Sequence, residues 1–400
     1  MLYRKVPQND DRLSILGFGC MRLPVRDDNS IDEERAIAQI RSGIDSGINY
    51  LDTAWPYHDG NGEVVLGKAL KNGYRQKVKI ATKLPSWLIK NREDMDFYLA
   101  RQLEKLQSDH IDYYLLHALN KKSWNSLLSL GVTDFLQQAI ADGRIINPGF
   151  SFHGLAEDFT MIVDAFPWIF CQIQYNFLDR ENQAGLAGLQ YAAAKDLAVI
   201  IMEPLRGGNL GLAQAPPAIQ KLWDSGGGGR TPAEWALRWV WNHPEVTSVL
   251  SGMNLEDHIT ENLRVAETGF ANSLRLEELA LVDRVAEMYQ ELMKVGCTGC
   301  GYCMPCPEGV KIPSVFEVYN KMHMFGEEQK AKITYALRLS GTITAETPGF
   351  ASQCVKCGQC EKKCPQRIEI MSTLAEVAEV MEDSGLERRI AVAAKILNGG

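Results

Sequence analysis

Long hydrophobic runs, a surplus of basic charge and low-complexity tracts are all missing from this chain, and each absence removes a class of function. No stretch of the 400 residues reaches the ~18 consecutive apolar residues of a membrane-spanning helix. Lys and Arg number 42 against 50 Asp and Glu, a net charge of −8, so nothing favours nucleic acid or an anionic membrane as partner. Met1–Asp11 is polar and lacks the apolar core of a secretory leader, so the expected location is cytoplasmic. No G-x-G-x-x-G follows a first predicted strand, which argues against a doubly wound dinucleotide fold. A flavin motif is missing as well, and nothing repeats internally except one pair of cysteine runs. The length suffices for a large domain plus a small one.

What is present is concentrated. Eight of the ten cysteines fall in two runs: Cys297, Cys300, Cys303 and Cys306 before Pro307, and Cys354, Cys357, Cys360 and Cys364 before Pro365. The second reads C-x2-C-x2-C-x3-C-P, the bacterial ferredoxin run that ligates 4Fe–4S clusters. Three thiolates at i, i+3 and i+6 on a tight loop converge on one face of an iron–sulfur cube, and the fourth corner must come from farther away. In two-cluster ferredoxins the Cys-Pro cysteine serves the other cluster. That rule predicts one cluster on Cys297, Cys300, Cys303 and Cys364, and a second on Cys354, Cys357, Cys360 and Cys306. The first run is one residue short before Cys306, which makes that position the weak point. Zinc, which normally pairs two C-x2-C units per metal, and disulfides remain the alternatives. Cysteines arranged for metal indicate a reducing compartment. Cys20 and Cys171 lie in apolar stretches and read as buried small hydrophobes.

Ahead of the cysteines, short apolar runs alternate with helical patterns. Candidate strands are 14–19, 49–54, 79–84, 111–117, 145–151, 170–175, 198–204 and 247–252. Between the first two, 31–47 carries Ile37, Ile40 and Ile44 at helical spacing. Thr231-Pro232-Ala233-Glu234 reads as a capping box opening the helix before the eighth strand. Eight strand–helix alternations over roughly 250 residues predict an α/β fold, a (β/α)8 TIM barrel. A doubly wound sheet is the runner-up, and Gly226–Gly229 reads as a loop. The predicted division is a barrel over 1–272, a connecting helix over 273–296 and a smaller, mostly α-helical iron–sulfur domain over 297–400. Helical patterning over 313–325, 327–339, 370–383 and 386–397 supports the last. Such a domain is expected to have little core of its own and to lean on its clusters for folding.

In such barrels the polar residues at the C-terminal strand ends are the catalytic candidates. Asp52 ends the second predicted strand, Tyr57 follows in its loop, Lys83 ends the third and His117 the fourth. Each alone has a bland reading: a cap, a snorkelling lysine, a core histidine. All four on one barrel face make coincidence a poor account. Trp55, Trp87, Leu119 and Phe177 are candidates for an apolar mouth there, or for packing.

These residues make the chain resemble the aldo/keto reductase superfamily over about residues 2–265, through D-T-A-x-x-Y, the strand-end Lys, the strand-end His and Gly62–Leu70 after the tyrosine. The resemblance implies reduction of a small aldehyde or ketone, with hydride from NAD(P)H and Tyr57 as general acid. Lys83 is expected to lower the tyrosine pKa, Asp52 to hold Lys83, and His117 to orient the carbonyl oxygen. Implied cofactor contacts are Gly19 and Met21 after the first strand, Ser151 and His153 after the fifth (Phe152 stands where the family has Asn), and Gln172 on the sixth. Met202 replaces the stacking tyrosine of the seventh. Leu205 and Gly207 belong to the loop over the pyrophosphate, and Ser251, Gly252, His258 and Asn262 to the adenosine segment, where Arg206 or Arg264 would compensate for a missing basic pair. The cysteine run 297–307 and Gly149–Gly154 are similar to a subgroup carrying a C-terminal 4Fe–4S dicluster domain. A hydride carries two electrons and a cluster one, so electron exchange with the clusters calls for a partner, a separate flavoprotein or a ferredoxin. The alternatives are structural or redox-sensing clusters, or an electron carrier that does not use nicotinamide.

Overall fold

The computed structural model describes residues 1–28, 30–227, 229–341 and 347–397. Two short strands, β1 (Tyr3–Lys5) and β2 (Arg12–Ser14), form an antiparallel hairpin. Eight strands follow: β3 (Leu16–Gly19), β4 (Tyr50–Asp52), β5 (Lys79–Leu84), β6 (Ile111–Leu119), β7 (Ile145–Phe152), β8 (Phe170–Gln174), β9 (Ala198–Met202) and β10 (Val246–Ser251). They close into a barrel of parallel neighbours in the order β10-β3-β4-β5-β6-β7-β8-β9. Every predicted strand is there. β9 stops at Met202 rather than Pro204, because Glu203 turns to positive φ (57°) and proline has no N–H for the ladder.

The helices of the barrel part are α1 (Glu33–Asp45), α2 (Gly62–Ala69), α3 (Arg92–Leu106), α4 (Lys121–Ser129), α5 (Val132–Ala141), α6 (Ala156–Asp164) and α7 (Gly185–Ala194). After β9 come α8 (Pro217–Ser225), α9 (Pro232–Trp241) and, beyond β10, α10 (Glu256–Ala266). The predicted proline-first opening of α9 is met. The strands fold together because their apolar residues point inward. Tyr50, Ala81, Tyr113, Leu115, Phe170 and Ile200 are fully buried in one core with Val6 and Leu13 of the hairpin. Tyr50 and Phe170 are the first residues of their strands, so the hairpin stoppers the N-terminal end and leaves the C-terminal end for chemistry.

The chain divides into two compact units, Met1–Leu205 with Ala233–Leu276, and Arg206–Pro232 with Glu277–Gly400. The segment between β9 and α9 therefore clusters with the cysteine-bearing part. The predicted Gly226–Gly229 loop includes Gly228, outside the described residues. Also in the second unit are α11 (Leu276–Leu292), α12 (Ile312–Phe325), α13 (Glu328–Leu339), α14 (Ile370–Met381) and α15 (Leu386–Leu397), all close to the predicted helices. The expectation of a scant core is overturned. Val310, Val315, Phe316, Tyr335, Leu339 and Leu374 are fully buried in one apolar cluster, contributed by α12, α13 and α14 and the segment before α12.

Candidate active site and cysteine cradles

Asp52, the last residue of β4, and Lys83, in β5, face each other across neighbouring parallel strands. Lys83 Nζ lies 2.6 Å from Asp52 Oδ1 and donates to the Thr53 carbonyl at 2.7 Å. Lys83 is 1 % exposed, so this is a charge held in the protein interior by a partner and a backbone oxygen. Burial pushes the Asp52 carboxyl up and the Lys83 ammonium down, each opposed by the other's charge. Behind Lys83, the Gln102 amide donates to the Lys83 carbonyl at 2.9 Å and to the buried Glu63 carboxylate at 2.8 Å. That contact fixes strand, α2 and α3 together.

Tyr57 sits half-buried in the loop between β4 and α2, its hydroxyl 3.5 Å from Lys83 Nζ. Burial raises its pKa well above the phenol range, with Asp52, Cys20 and Glu203 adding and Arg22 opposing. The sequence reading expects Lys83 to shift it the other way. The pairing explains the difference: Asp52 stands closer to Lys83 than the phenol does and offsets the ammonium's field. Tyr57 therefore holds its proton firmly.

His117 lies where β6 carries one residue more than β7 between Leu116 and Leu119, and Ala118 takes φ 54°. Such a bulge re-aims side chains at a barrel rim. The ring is buried, 5.1 Å from the Trp87 ring and 6.2 Å from that of Tyr57. Burial, Lys83 and His153 hold its pKa well below the histidine range, so the imidazole is neutral. Of the four candidates for an apolar mouth, Trp87 is exposed beside His117. Leu119 and Phe177 are fully buried, and Trp55 packs on Tyr98 with Lys105 Nζ 3.6 Å from its ring centroid.

The expected cofactor residues separate into groups. Ser151 on β7 accepts from the Ala118 N–H at 2.8 Å, which leaves its hydroxyl proton to give. Gln172 on β8 and Asp52 each keep one buried oxygen, Oε1 and Oδ2, without a hydrogen-bond partner among the described residues. Two orphaned acceptors on the barrel strands fit a ligand that brings donors, as a carboxamide and ribose do. Gly19 closes β3 against β10, where a Cβ would meet Ser251 O at 3.4 Å, and Met21 lies in the following turn. Met202 ends β9 at the barrel core. Asn262 of α10 donates to Ser251 Oγ at 3.1 Å, next to Gly252, while His258 is exposed on α10. Arg264 pairs with Glu234 at 2.7 Å instead of standing ready for a phosphate. Leu205 is the last residue of its stretch of the first unit. Gly207 (φ 69°) and Arg206 fall in the second unit, where Arg206 donates to the Gly296 carbonyl at 3.3 Å. His58 escapes the sequence reading: its Nε2 accepts from Leu23 N–H at 3.1 Å and pins the turn after β3 to the Tyr57 loop.

In the second unit, Cys297, Cys300, Cys303 and Cys364 line one cavity, with Ile312, Pro313, Phe316 and Ile370. The Cys303 thiol is pushed up to about 12 by burial and by Cys300, Cys297 and Cys364 around it. Thiolates that crowd one another call for a cationic centre among them. Among the described residues, no group of three or more His, Cys, Asp or Glu side chains is arranged to hold a single metal ion. Gly299 (φ 67°) and Gly301 (φ 78°) turn the loop left-handed between successive cysteines, and Gly299 N–H donates to Cys297 Sγ at 3.4 Å. The second run repeats the device with Lys356 (φ 57°) and Gly358 (φ 71°). Cys354 acts on Cys360 electrostatically, and Cys306, Cys354 and Cys360 pack on the same apolar core. The residues present fit two iron–sulfur clusters.

Residues 15–286 match the family model of the aldo/keto reductase family, more than half of the chain. The chain belongs to the aldo/keto reductase family. Residues 296–369 of this reductase match the model of a 4Fe–4S dicluster domain. It is 27 % identical over 310 residues to L-galactose dehydrogenase of Arabidopsis thaliana, covering 70 % of this chain and 93 % of that one. Methylglyoxal reductase YeaE of Escherichia coli is 26 % identical, covering 62 % of this chain and 83 % of that protein. An aldo-keto reductase of Klebsiella pneumoniae, solved in complex with NADPH, superposes with a TM-score of 0.58 at 25 % identity, covering 72 % and 96 % of the two chains. Among the described residues, no helix is long and apolar enough to cross a membrane.

Proposed function

We propose that this aldo/keto reductase reduces a small aldehyde or ketone with NADPH or NADH, in the cytoplasm, and that its second unit carries two 4Fe–4S clusters. The observation that carries the reading is the Lys83 ammonium held between Asp52 Oδ1 and the Thr53 carbonyl, with the Tyr57 hydroxyl at its edge and a neutral His117 nearby. A reduced nicotinamide, when bound, supplies the hydride. Tyr57 gives its hydroxyl proton to the carbonyl oxygen as negative charge develops there, and Lys83 stabilises the phenolate left behind. The neutral His117 imidazole can donate an N–H to that same oxygen. Ser151, Gln172, Met202, Gly19 and Met21 form the nicotinamide end of the proposed site, with Ser251, Gly252, His258 and Asn262 at the adenosine end and Leu205 over the pyrophosphate. The relatives' names, a sugar dehydrogenase and a ketoaldehyde reductase, agree with a small oxygenated substrate. The NADPH of the Klebsiella structure supports the cofactor class. Asp257 and Glu256 in the first turn of α10 give no preference for a 2′-phosphate.

Cys297, Cys300, Cys303 and Cys364 would hold one cluster, and Cys354, Cys357, Cys360 with Cys306 the other. Such clusters, when bound, supply single electrons to a redox partner, a separate flavoprotein or a ferredoxin. A second reading, purely structural clusters, draws on the packing of both cysteine runs against the apolar core of their unit. Tyr57→Phe tests the chemistry: NADPH-dependent carbonyl reduction is expected to fall by about 10²–10⁴ while cluster absorption stays as in the parent. Undiminished reduction would remove Tyr57 as the acid.

A further inference from the structure

Around the second cysteine run the charge of this acidic chain changes sign. Residues 354–367 carry Lys356, Lys362, Lys363 and Arg367 against Glu361 alone, whereas the whole chain has a net charge of −8. The first run, 297–307, has no charged residue. All four basic residues are exposed, and among the described residues none of their side chains has an ion-pair or hydrogen-bond partner. Basic residues elsewhere in the same unit are matched: Lys321, Lys330, Lys332, Arg338 and Arg389 each hold a carboxylate within 3.2 Å. The run's own acid is occupied, since Glu361 Oε1 accepts from the Met371 N–H at 2.9 Å in the first turn of α14. The next acid, Glu369, accepts from the Ser372 hydroxyl at 3.4 Å. Helix stability does not account for the cations either. Lys362, Lys363 and Arg367 precede the N-terminus of α14, where positive charge is disfavoured.

The same stretch holds the most accessible thiol. Of the eight cysteines in the two runs, Cys357 is exposed and the others are half-buried. Beside it stand Val355, 61 % exposed, and Lys356 at φ 57°. Lys362 and Lys363 lie on the short turn Glu361–Lys363 between Cys360 and Cys364, so the cations stand among ligands assigned to both clusters. A transient electron-transfer interface is small, under about 1,200 Å², with apolar contact at its centre and charge at its rim. Rim charges set the rate of encounter more than the affinity.

We propose that Val355, Lys356 and Cys357, together with Lys362, Lys363 and Arg367, form the docking surface for an acidic one-electron carrier protein. The inference rests on the reading in which the clusters exchange electrons with an outside redox protein. One electron leaves a reduced cluster and one arrives on the oxidised carrier; no bond is made or broken and no proton moves. The carrier's carboxylates meet the four cations, and the acidic remainder of the chain repels it elsewhere, which confines encounter to this face.

The test uses cluster-loaded full-length protein, reduced with dithionite and freed of the excess, and one oxidant in two charge forms: basic native cytochrome c and acidic succinylated cytochrome c. At low salt, stopped-flow reoxidation by the succinylated form is expected to be roughly tenfold or more faster than by the native form. That advantage should fade between about 0.01 M and about 0.1 M salt, as the Debye length shrinks from about 30 to about 10 Å. Lys356→Gln/Lys362→Gln/Lys363→Gln/Arg367→Gln should lose it. Carbodiimide coupling, which joins a lysine to a touching carboxylate and needs no electron transfer, is expected to link Lys356, Lys362 or Lys363 to the succinylated protein. A faster native form, cross-links confined to other lysines, or an unchanged preference in the quadruple variant each overturns the docking surface while leaving the clusters in place. A variant that shifts the cluster potential and nothing else assigns the cations to cluster charge, and overturns it too. Reduced clusters that neither form reoxidises, or a parent without iron, overturn the electron-exchange reading itself. The parent's rates and cross-links decide even where the variant fails to fold.

Discussion

Lys83→Met removes one half of the buried ion pair at the centre of the site. The ammonium donates to Asp52 Oδ1 at 2.6 Å and to the Thr53 carbonyl, and the paired side chains are 1 % and 4 % exposed. Asp52 Oδ2 has no hydrogen-bond partner among the described residues, so without Lys83 neither carboxylate oxygen keeps one. Stranding a buried charge in this way costs about 3–5 kcal/mol. For a unit of barrel size that corresponds to a fall of roughly 6–20 °C in Tm, at about 2–4 °C per kcal/mol. The Asp52→Asn/Lys83→Met double variant removes both charges and should regain most of the loss, a coupling that a double-mutant cycle reads directly. Burial already raises the Asp52 pKa in the parent, and loss of the ammonium raises it further. A carboxyl whose folded pKa lies above its unfolded value near 4 destabilises little below pH 4, where both states are protonated. The deficit grows as pH rises towards the folded pKa and is full above it. Thermal melts followed by near-ultraviolet circular dichroism at pH 5 and pH 8 check this, with cluster absorbance monitoring the second unit separately. A deficit under about 1 kcal/mol, or one that grows towards acid, would refute the reasoning.

His117 is neutral through the working range, so kcat/KM should show no break near pH 6.5. A break there that vanishes in His117→Gln would contradict the neutral assignment. Crossed ligation predicts that Cys297→Ser/Cys364→Ser keeps about four irons, like either single variant, whereas Cys297→Ser/Cys306→Ser loses most of about eight. Iron analysis giving the reverse pattern would place each cluster on one run. Anaerobic NADPH titration followed by low-temperature EPR should leave the clusters oxidised until dithionite is added, and a cluster signal from NADPH alone would show that no outside relay is needed.

The barrel was legible because its strands are short apolar runs at regular separation, and a parallel barrel buries both faces of each strand. The four candidates Asp52, Tyr57, Lys83 and His117 were nominated because each ends a predicted strand or follows one, a position that sequence order reveals. The sign of the Tyr57 shift was not, because it depends on how closely Asp52 shadows Lys83, a distance no spacing encodes. The hydrogen bonds that link His153 to Gln183, Gln183 to Gln174 and Gln174 to Asp179 were equally hidden. Gln172 and Gln174 share a strand face, which hints at a polar wall, but Gln183 joins it from the loop before α7. The second unit was misjudged in one respect: its core residues are spread over three helices separated by cysteine loops, so no single segment advertises an apolar face large enough to fold on.

The charges around the proposed carbonyl site bear on what the clusters can do for it. Lys83 and Asp52 sum to zero, His117 and His153 are neutral, and Tyr57 keeps its proton. Such a site suits the proposed reduction, in which hydride and proton add to the carbonyl together and the phenolate left on Tyr57 stands beside Lys83. Single-electron delivery to a carbonyl would leave a radical anion at the oxygen, with a second electron and a proton still to follow. Two clusters match a hydride in electron count but not in the step by which the electrons move. On the proposed reading, electrons on the clusters are therefore exchanged with an outside redox protein rather than passed to the carbonyl, and the barrel's own reaction is a closed-shell one.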